Sequence, residues 1–529
     1  MGSFAKNPIY LTNDFTGADI TMAIGDWDGD GLSDDEEAYV IFSNPSNSLS
    51  PIQVDDDGPN DPVPGDPETS DPFENGSRYH PYDSIQQAID VSTGGSVILV
   101  LDGVYSGTGN KDINTKGKAV TIRSRYGYNS TTIDVASVQS GFVFSSNETA
   151  ATVIKGFTIH TWASYFGRQG ILCDKASPTI EDCRIWDCGV AGILCTNGAN
   201  PTIRRTRIEA NTGGIRCYGS SPVIDSCLIR SNYASRGAGV LIADNSSPYF
   251  VNTLIVGNQS TNDGGGLYVG AGCNPTGINC TVAFNVALNR GSAISTAGTP
   301  LFKNVIVWGN IDPANDPIDL QGSPASFTYS CVQEPHPGGN FTNNPLLVSD
   351  EYCSLQPGSP CIDAGTAVGA PSIDYSGQRR PLDGNCNGIP AVDIGAYELL
   401  HPLADSDGDG MPDGWEADNN LNVLMNDAME NPDGDANNNW EEWRAGTNPR
   451  DGQSFFRFWQ TVSVMPQGVL IVWPSITGRT YAVDRSTNLT LIPAFSNIAS
   501  GVQGQSGSTV HTDTTVTTSG PYIYRVKIE

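Results

Sequence analysis

Apolar and polar positions recur along this chain in one phrase, repeated with variations from Thr152 to Asn310. It reads Pro178-Thr-Ile-Glu-Asp-Cys-Arg-Ile, then Pro201-Thr-Ile-Arg-Arg-Thr-Arg-Ile, then Pro222-Val-Ile-Asp-Ser-Cys-Leu-Ile. It returns as Pro248-Tyr-Phe-Val-Asn-Thr-Leu-Ile and, more loosely, from Pro275 and Pro300, with starts 21 to 27 residues apart. Self-similarity at that period predicts a solenoid, in which each coil buries its core only against its neighbours. Numbering each phrase from its first residue, positions 3, 6 and 8 are small or apolar and point inward. They are Ile154, Phe157 and Ile159 in one coil, then Ile180, Cys183 and Ile185 in the next. Position 11 is Asn211, Asn232, Asn258, Asn285 and Asn310 in five coils, a spacing that stacks side-chain amides into a hydrogen-bonded ladder.

A second strand per coil ends on Cys173, Cys195 and Cys217, then reads Gly-Val-Leu-Ile242 and Gly-Leu-Tyr-Val269. Upstream, Ser84-Ile-Gln-Gln87-Ala-Ile-Asp predicts a short helix with a capping box, its stripe of Ile85, Ala88 and Ile89 laid over the open first coil. Strand patterns follow at Ser96–Leu101, Asp102–Tyr105, Ala119–Ile122 and Thr131–Asp134. The chain has 12 cysteines and no CxxC pair, which argues against a redox or zinc motif. Cys173, Cys195, Cys217, Cys183 and Cys227 fall where small core residues stack. Cys353 and Cys361, flanking a Pro-Gly loop, are the best disulfide candidate.

Charge changes this picture at two places. Net charge is −30, but residues 1–77 hold 17 acids against one base, and residues 401–451 hold 13 against two. Concentrated acid needs counter-ions, and bound divalent cations are the natural ones. An acidic chain with no basic stripe argues against nucleic acid, and no apolar run is long enough to span a bilayer. Asp26-Trp-Asp28-Gly-Asp30-Gly31-Leu32-Ser-Asp34-Asp-Glu-Glu37 fits a twelve-residue calcium loop. Asp26, Asp28, Asp30 and Asp34 stand at positions 1, 3, 5 and 9, the Leu32 carbonyl at 7 and Glu37 at 12. Asp405, Asp407, Asp409, Met411, Asp413 and Glu416 repeat the match. A third loop, Asn431, Asp433, Asp435, Asn437, Asn439 and Glu442, departs from it. Asn431 replaces the first Asp and Ala436 the turn glycine, which predicts a strained turn and weaker binding.

Residues 80–400 resemble the right-handed parallel β-helix repeat proteins, a group containing pectate-lyase-like enzymes and non-catalytic surface proteins. Ser359-Pro-Cys-Ile-Asp-Ala-Gly365, Asp374–Pro381 and Asp393–Glu398 resemble the closing module of bacterial surface-anchored members, often called choice-of-anchor, which implies a cap on the C-terminal end of the coils. The 405–451 loops, with Trp415, Trp440 and Trp443, resemble thrombospondin type 3 or dockerin-like calcium modules. The expected organisation is an all-β chain. It runs as an N-terminal calcium-loop segment (1–50), an acidic Pro/Asp-rich linker (51–79), a parallel β-helix (80–323), its end module (324–400), a calcium-loop module (401–451) and a small β-sandwich (452–529). The sandwich is read from the alternating stretches at Gly468–Trp473, Thr480–Asp484 and Tyr522–Lys527.

Outward positions 4, 7 and 9 are polar in the early coils and apolar from Val251 onward, where a cover by the accessory domain or the 324–400 segment is expected. His160, Tyr165, Arg168, Arg184, Trp186, Arg207 and Arg230 form the candidate ligand face. Aromatics there stack on sugar rings, and arginines pair with uronate or sulfate. The same residues also suit a solvent face laced with ion pairs between coils. The cofactor expected is Ca²⁺. The expected role is extracellular or cell-surface, and structural, adhesive or glycan-binding, with an acidic polysaccharide or further copies of the chain as partner. The alternative is a polysaccharide lyase or glycoside hydrolase. No secretion signal follows Met1, so secretion is inferred from the modules.

Overall fold

The structure, a computed structural model, describes residues 51–57, 71–135, 139–160, 168–313, 318–319, 325–348, 353–456, 460–465, 468–516 and 521–529. The loop from Asp26 to Glu37, with its ligands Asp28, Asp30, Leu32 and Asp34, lies outside the described residues, as does Tyr165. The chain forms two compact units. One runs to Pro381 and includes Ala391–Glu398; the other comprises Leu382–Pro390 and Leu399–Glu529.

The first unit is a parallel β-solenoid. The coil from Pro178 supplies Thr179–Glu181, Arg184–Trp186 and Ile193–Thr196, one strand to each of three sheets. Among the described residues these sheets hold 11, 10 and 8 strands. Three-residue strands carry one inward side chain at their centre, so in-register pairing stacks like on like. Ile154, Ile180, Ile203 and Ile224 form one such column, and Ile159, Ile185, Ile208 and Ile229 a second. Cys173, Cys195 and Cys217 form part of a third. All are fully buried, and a buried aliphatic side chain is worth roughly 1.5–3 kcal/mol.

The asparagine ladder stands beside these columns. Asn211 Nδ2 donates to Asn232 Oδ1 at 3.0 Å, Asn232 to Asn258 at 2.9 Å, Asn258 to Asn285 at 2.9 Å and Asn285 to Asn310 at 2.9 Å. Each amide nitrogen also reaches a backbone carbonyl of the coil before, as Asn258 does at Ile229. Ladder members are 6 % exposed or less.

Position 5 of each phrase turns the chain from the first sheet to the second in the left-handed region: Asp182, Arg205, Ser226, Asn252, Asn279 and Asn304 all have φ near +50°. Asparagine tolerates that conformation because its short polar side chain bonds locally.

Three parts of the sequence reading change. First, Ile52–Val54, assigned to the linker, is the outermost strand of the first sheet and pairs with Ile98–Val100. Ile52-Gln-Val54 alternates, and Val54 is fully buried. Second, helix α1 (Ile85–Val91) has Ser84 as N-cap, accepting from Gln87 N, but the Gln87 amide turns to Glu74 at 2.6 Å rather than back to the cap. Third, the closing segment does more than extend the end of the coils. It folds back along their flank, held by Asn252 to Ile373 O, Asn279 to Asp393 O and Asn304 to Thr366 O. Ala396, Cys353, Leu347, Tyr375 and Tyr397 thereby cover Leu228, Leu254, Val256 and Ala283. The 324–400 segment is thus the cover for the apolar outward positions. A buried ion pair, Arg380 Nε to Glu398 Oε2 at 2.9 Å, fastens it, and Arg380 also donates to Asn252.

The second unit begins with two short helices, α2 (Asp413–Asp418) and α3 (Asn439–Ala445). Two three-stranded antiparallel sheets follow. Val469, Ile471, Trp473, Tyr481, Val483 and Tyr524 form their shared core.

Candidate metal centres

Both described acidic loops use side-chain oxygens to wind the backbone. In the first, Gly408 N donates to Asp405 Oδ1, Asp409 N to Asp407 Oδ1 and Met411 N to Asp409 Oδ1. In the second, Gly434 N donates to Asn431 Oδ1, Asp435 N to Asp433 Oδ1 and Asn437 N to Asp435 Oδ1. The loops diverge at one point. Asp405 Oδ2 accepts from Gly410 N, and Gly410 sits at φ +93°. Asn431 has an amide nitrogen there instead and donates to Asp435 O. With that tether gone, Ala436 stays out of the left-handed region, and the strain expected at this turn is absent.

Each loop runs into a helix whose first turn carries the final glutamate inward. Asp407 and Asp409 lie with Asp405, and Asp409 also lies with Glu416 and Asp427, the ligand atoms of each group within 4.8 Å of one another. Glu416 is fully buried, and neither carboxylate oxygen has a hydrogen-bond partner; Oδ2 of Asp407 and of Asp409 are also unpartnered. Burial, then the charges of Asp407 and Asp409, push Glu416 up to about 9. Burial likewise lifts Asp407 to about 6. In the second loop Asp433, Asp435 and Glu442 converge. Burial, reinforced by Asp433 and Asp435, raises Glu442 to about 7. Buried carboxylates facing one another without donors are stable as anions only with a cation between them. Several oxygen donors and no nitrogen or sulfur suit a hard ion such as Ca²⁺.

Two residues stand differently from the loop template. Asp413, expected at position 9, gives both oxygens to Ser406, accepting from its N at 2.7 Å and its Oγ at 2.5 Å. Asp427 takes a place in the first cluster that the loop template does not contain, eleven residues beyond Glu416. Its signal in the sequence is an acid standing between the two loop templates, just past the apolar run Leu421–Met425. Asn439, at position 9 of the second loop, donates to Asp427 O at 2.9 Å and so ties the loops together.

The candidate ligand face is filled by its own counter-charges. Arg184 Nε meets Glu209 Oε1 at 2.6 Å, Arg230 Nε meets Glu209 Oε2 at 2.9 Å, and Arg207 reaches the same carboxylate at 3.3 Å. Burial raises the Glu209 carboxyl, yet hydrogen bonds from Arg184 and Arg230 outweigh it and hold the group below the usual carboxylate range. One coil-corner away, Glu181 pairs with Lys155 at 3.0 Å and with Arg204 and Arg205. His160 is buried, stacked on Trp186 with ring centroids 4.2 Å apart, its Nε2 3.3 Å from Asp187. The Arg184 guanidinium lies over the same indole. Arg168 is exposed.

Comparison with known proteins agrees with this architecture. Residues 102–287 match the family model described as a right handed beta helix region. Residues 26–40 and 405–420 match the bacterial TSP3 repeat. The chain therefore carries a right-handed parallel β-helix together with bacterial TSP3 repeats. Among solved structures, pectate lyase Pel9A is similar at 15% identity and a TM-score of 0.42, covering 66% of this chain and 97% of the lyase. A pectin methylesterase from carrot is similar at 11% identity and a TM-score of 0.32, covering 51% of this chain and 86% of its own. No curated protein sequence matches.

Proposed function

We propose that this is an extracellular, calcium-stabilised β-helix protein with a structural or adhesive role at a cell surface, its partner an acidic polysaccharide or further copies of itself. The observation that carries the calcium reading is Glu416, fully buried with both oxygens unpartnered against Asp409 and Asp427. Ca²⁺ would be held by Asp405, Asp407, Asp409, Glu416 and Asp427 in one centre and by Asp433, Asp435 and Glu442 in the other. The ion would supply the positive charge that lets Glu416 and Glu442 pack as anions against the acids of their loops.

A structural role for the coils is supported by the convergence of Arg184, Arg207 and Arg230 on Glu209. A lyase needs its cationic groups aimed at a uronate and a base free to take the α-proton; a hydrolase needs two facing carboxylates. Here the arginines and the carboxylate satisfy one another. Two measurements decide. Removing Ca²⁺ with EDTA should lower the melting temperature, and an unchanged melt rejects the calcium centres. A screen on acidic polysaccharides, reading absorbance of unsaturated products and new reducing ends, should find no cleavage. Cleavage abolished by R184A and R207A would make the protein an enzyme.

A further inference from the structure

The two centres meet at one side chain. Asn439 opens helix α3, three residues before Glu442, and is 1 % exposed. Its Nδ2 donates to Asp427 O at 2.9 Å and lies 3.4 Å from Asp427 Oδ1. Asp427 is itself an acid of the first centre, grouped with Asp409 and Glu416. The other end of the amide, Oδ1, is buried without a hydrogen-bond partner, and Asn439 holds position 9 of the second loop, a ligand position of the twelve-residue template. The backbone repeats the link: Asn439 N donates to Glu430 O at 2.9 Å and Trp440 N to Ala428 O at 3.0 Å. The Trp440 indole reaches the turn of the first loop, where a β-carbon on Gly410 would lie 3.4 Å from its Nε1. The start of α3 is therefore built on the segment that carries Asp427.

We propose that Asn439 couples the two calcium centres, its Nδ2 holding Asp427 for the first and its Oδ1 serving the second, so that an ion in either raises the affinity of the other. An ion among Asp409, Glu416 and Asp427 fixes the chain at 427. That fixes the acceptor of Asn439 Nδ2 and, because the amide is planar, the direction of Oδ1 as well. The ordering of Asn439 and of the first turn of α3, which the second ion would otherwise have to bring about, is then complete before it arrives. Linkage makes the effect mutual, so the second ion strengthens the first by the same factor. Charge acts in the opposite sense. The first ion cancels negative charge that draws in the second, and through charge alone the second would bind more weakly. The sign of the coupling thus separates a link through Asn439 from a shared field.

Such coupling rests on the calcium reading of both loops, and one set of titrations separates the two. The full chain is stripped with EDTA, exchanged into chelator-free buffer and titrated with Ca²⁺ by calorimetry. Beside it run E416Q, which removes the first centre, and E442Q, which removes the second. Each glutamine replaces a buried carboxylate whose oxygens have no partner, so both variants fold. The double variant supplies the baseline, including any heat from the loop at Asp26–Glu37. Above that baseline, the wild-type isotherm should require each centre to bind about five- to tenfold more tightly when the other is filled than in the single variants. N439D keeps an oxygen for the second centre but has no donor for Asp427 O, so both ions should still bind and the coupling should vanish or reverse. An Asn439 with a structural role alone would cost N439D stability to urea and leave the coupling unchanged. Wild-type affinities equal to or weaker than those of the single variants, or undiminished coupling in N439D, overturn the proposal. Uptake of fewer than two ions above the baseline overturns the calcium reading of the empty loop, and the coupling with it. Should N439D fail to fold, the comparison of wild type with the two glutamine variants decides alone.

Discussion

Replacing Glu416 by Gln should stabilise the protein without Ca²⁺ and lose most of that advantage when Ca²⁺ is present. Without the ion, Glu416 is a carboxyl in a pocket of anions, raised from its ordinary 4.5 to about 9, so at pH 7 it takes up a proton on folding. A carboxyl raised on folding opposes folding once pH exceeds its unfolded value. The penalty is absent below about pH 4.5, grows as pH rises, and levels off above about 9. At pH 7 it amounts to roughly 3.5 kcal/mol, from about 2.5 pH units at about 1.4 kcal/mol each. Glutamine keeps the shape and needs no proton to be buried, so E416Q in EDTA at pH 7 should be more stable than wild type by up to that amount. With Ca²⁺ at a hundred times the dissociation constant, each intact centre contributes about 2.7 kcal/mol, and E416Q forfeits most of one centre. Urea denaturation followed by tryptophan fluorescence, in EDTA and in Ca²⁺, reads both arms. A variant less stable than wild type in both conditions would refute the reasoning, because Glu416 would then be making favourable contacts of its own.

Three further outcomes are expected. Asn258→Ala takes one of two donors from Asn285 Oδ1 and leaves Asn232 N without its acceptor, so it should cost about 1–3 kcal/mol by urea denaturation, the penalty for one buried orphan. Arg380→Ala strands the buried Glu398 and should cost about 3–5 kcal/mol, with faster proteolysis between 366 and 398; unchanged cleavage there would show that the closing segment is held by other means. Acid should weaken the second unit through Asp513. Burial raises this carboxyl, but hydrogen bonds from Thr515, Tyr524 and Arg485 prevail and hold it at about 2. Its stabilisation is present above the ordinary value of 3.8 and is lost as pH falls from there towards 2. D513N should flatten that part of the acid transition, monitored at the buried Trp473.

The coils were legible because their signal is repetition. Stacking puts equivalent residues in contact, so the inward columns and the asparagine ladder appear in the sequence as aligned letters. The acidic loops were legible because a cluster drawn mostly from twelve consecutive residues leaves most of its spacing in the chain. What sequence missed depends on contacts between distant segments. Asp427 lies outside the template it completes. Asp413 fits the template and turns to Ser406. The outward arginines suggested a ligand face by type alone, and only their distances to Glu209 show that their charge is already answered.

The left-handed corners have a consequence for how long such a protein can be. The closing segment reaches three consecutive corners, at Asn252, Asn279 and Asn304, and each offers the amide that grips it. The corners before them are Asp182, Arg205 and Ser226, which carry no carboxamide. Fastening is thus confined to one end, and the open flank is free in length. Duplicating or deleting a whole coil between Pro178 and Pro222 would lengthen or shorten the charged face while leaving every contact of the closing segment in place. The same change between Asn252 and Asn304 would put the segment out of step with its corners. Reach in the first half is adjustable in steps of one coil, about 4.8 Å, and the second half is the fixed fitting that makes such adjustment tolerable.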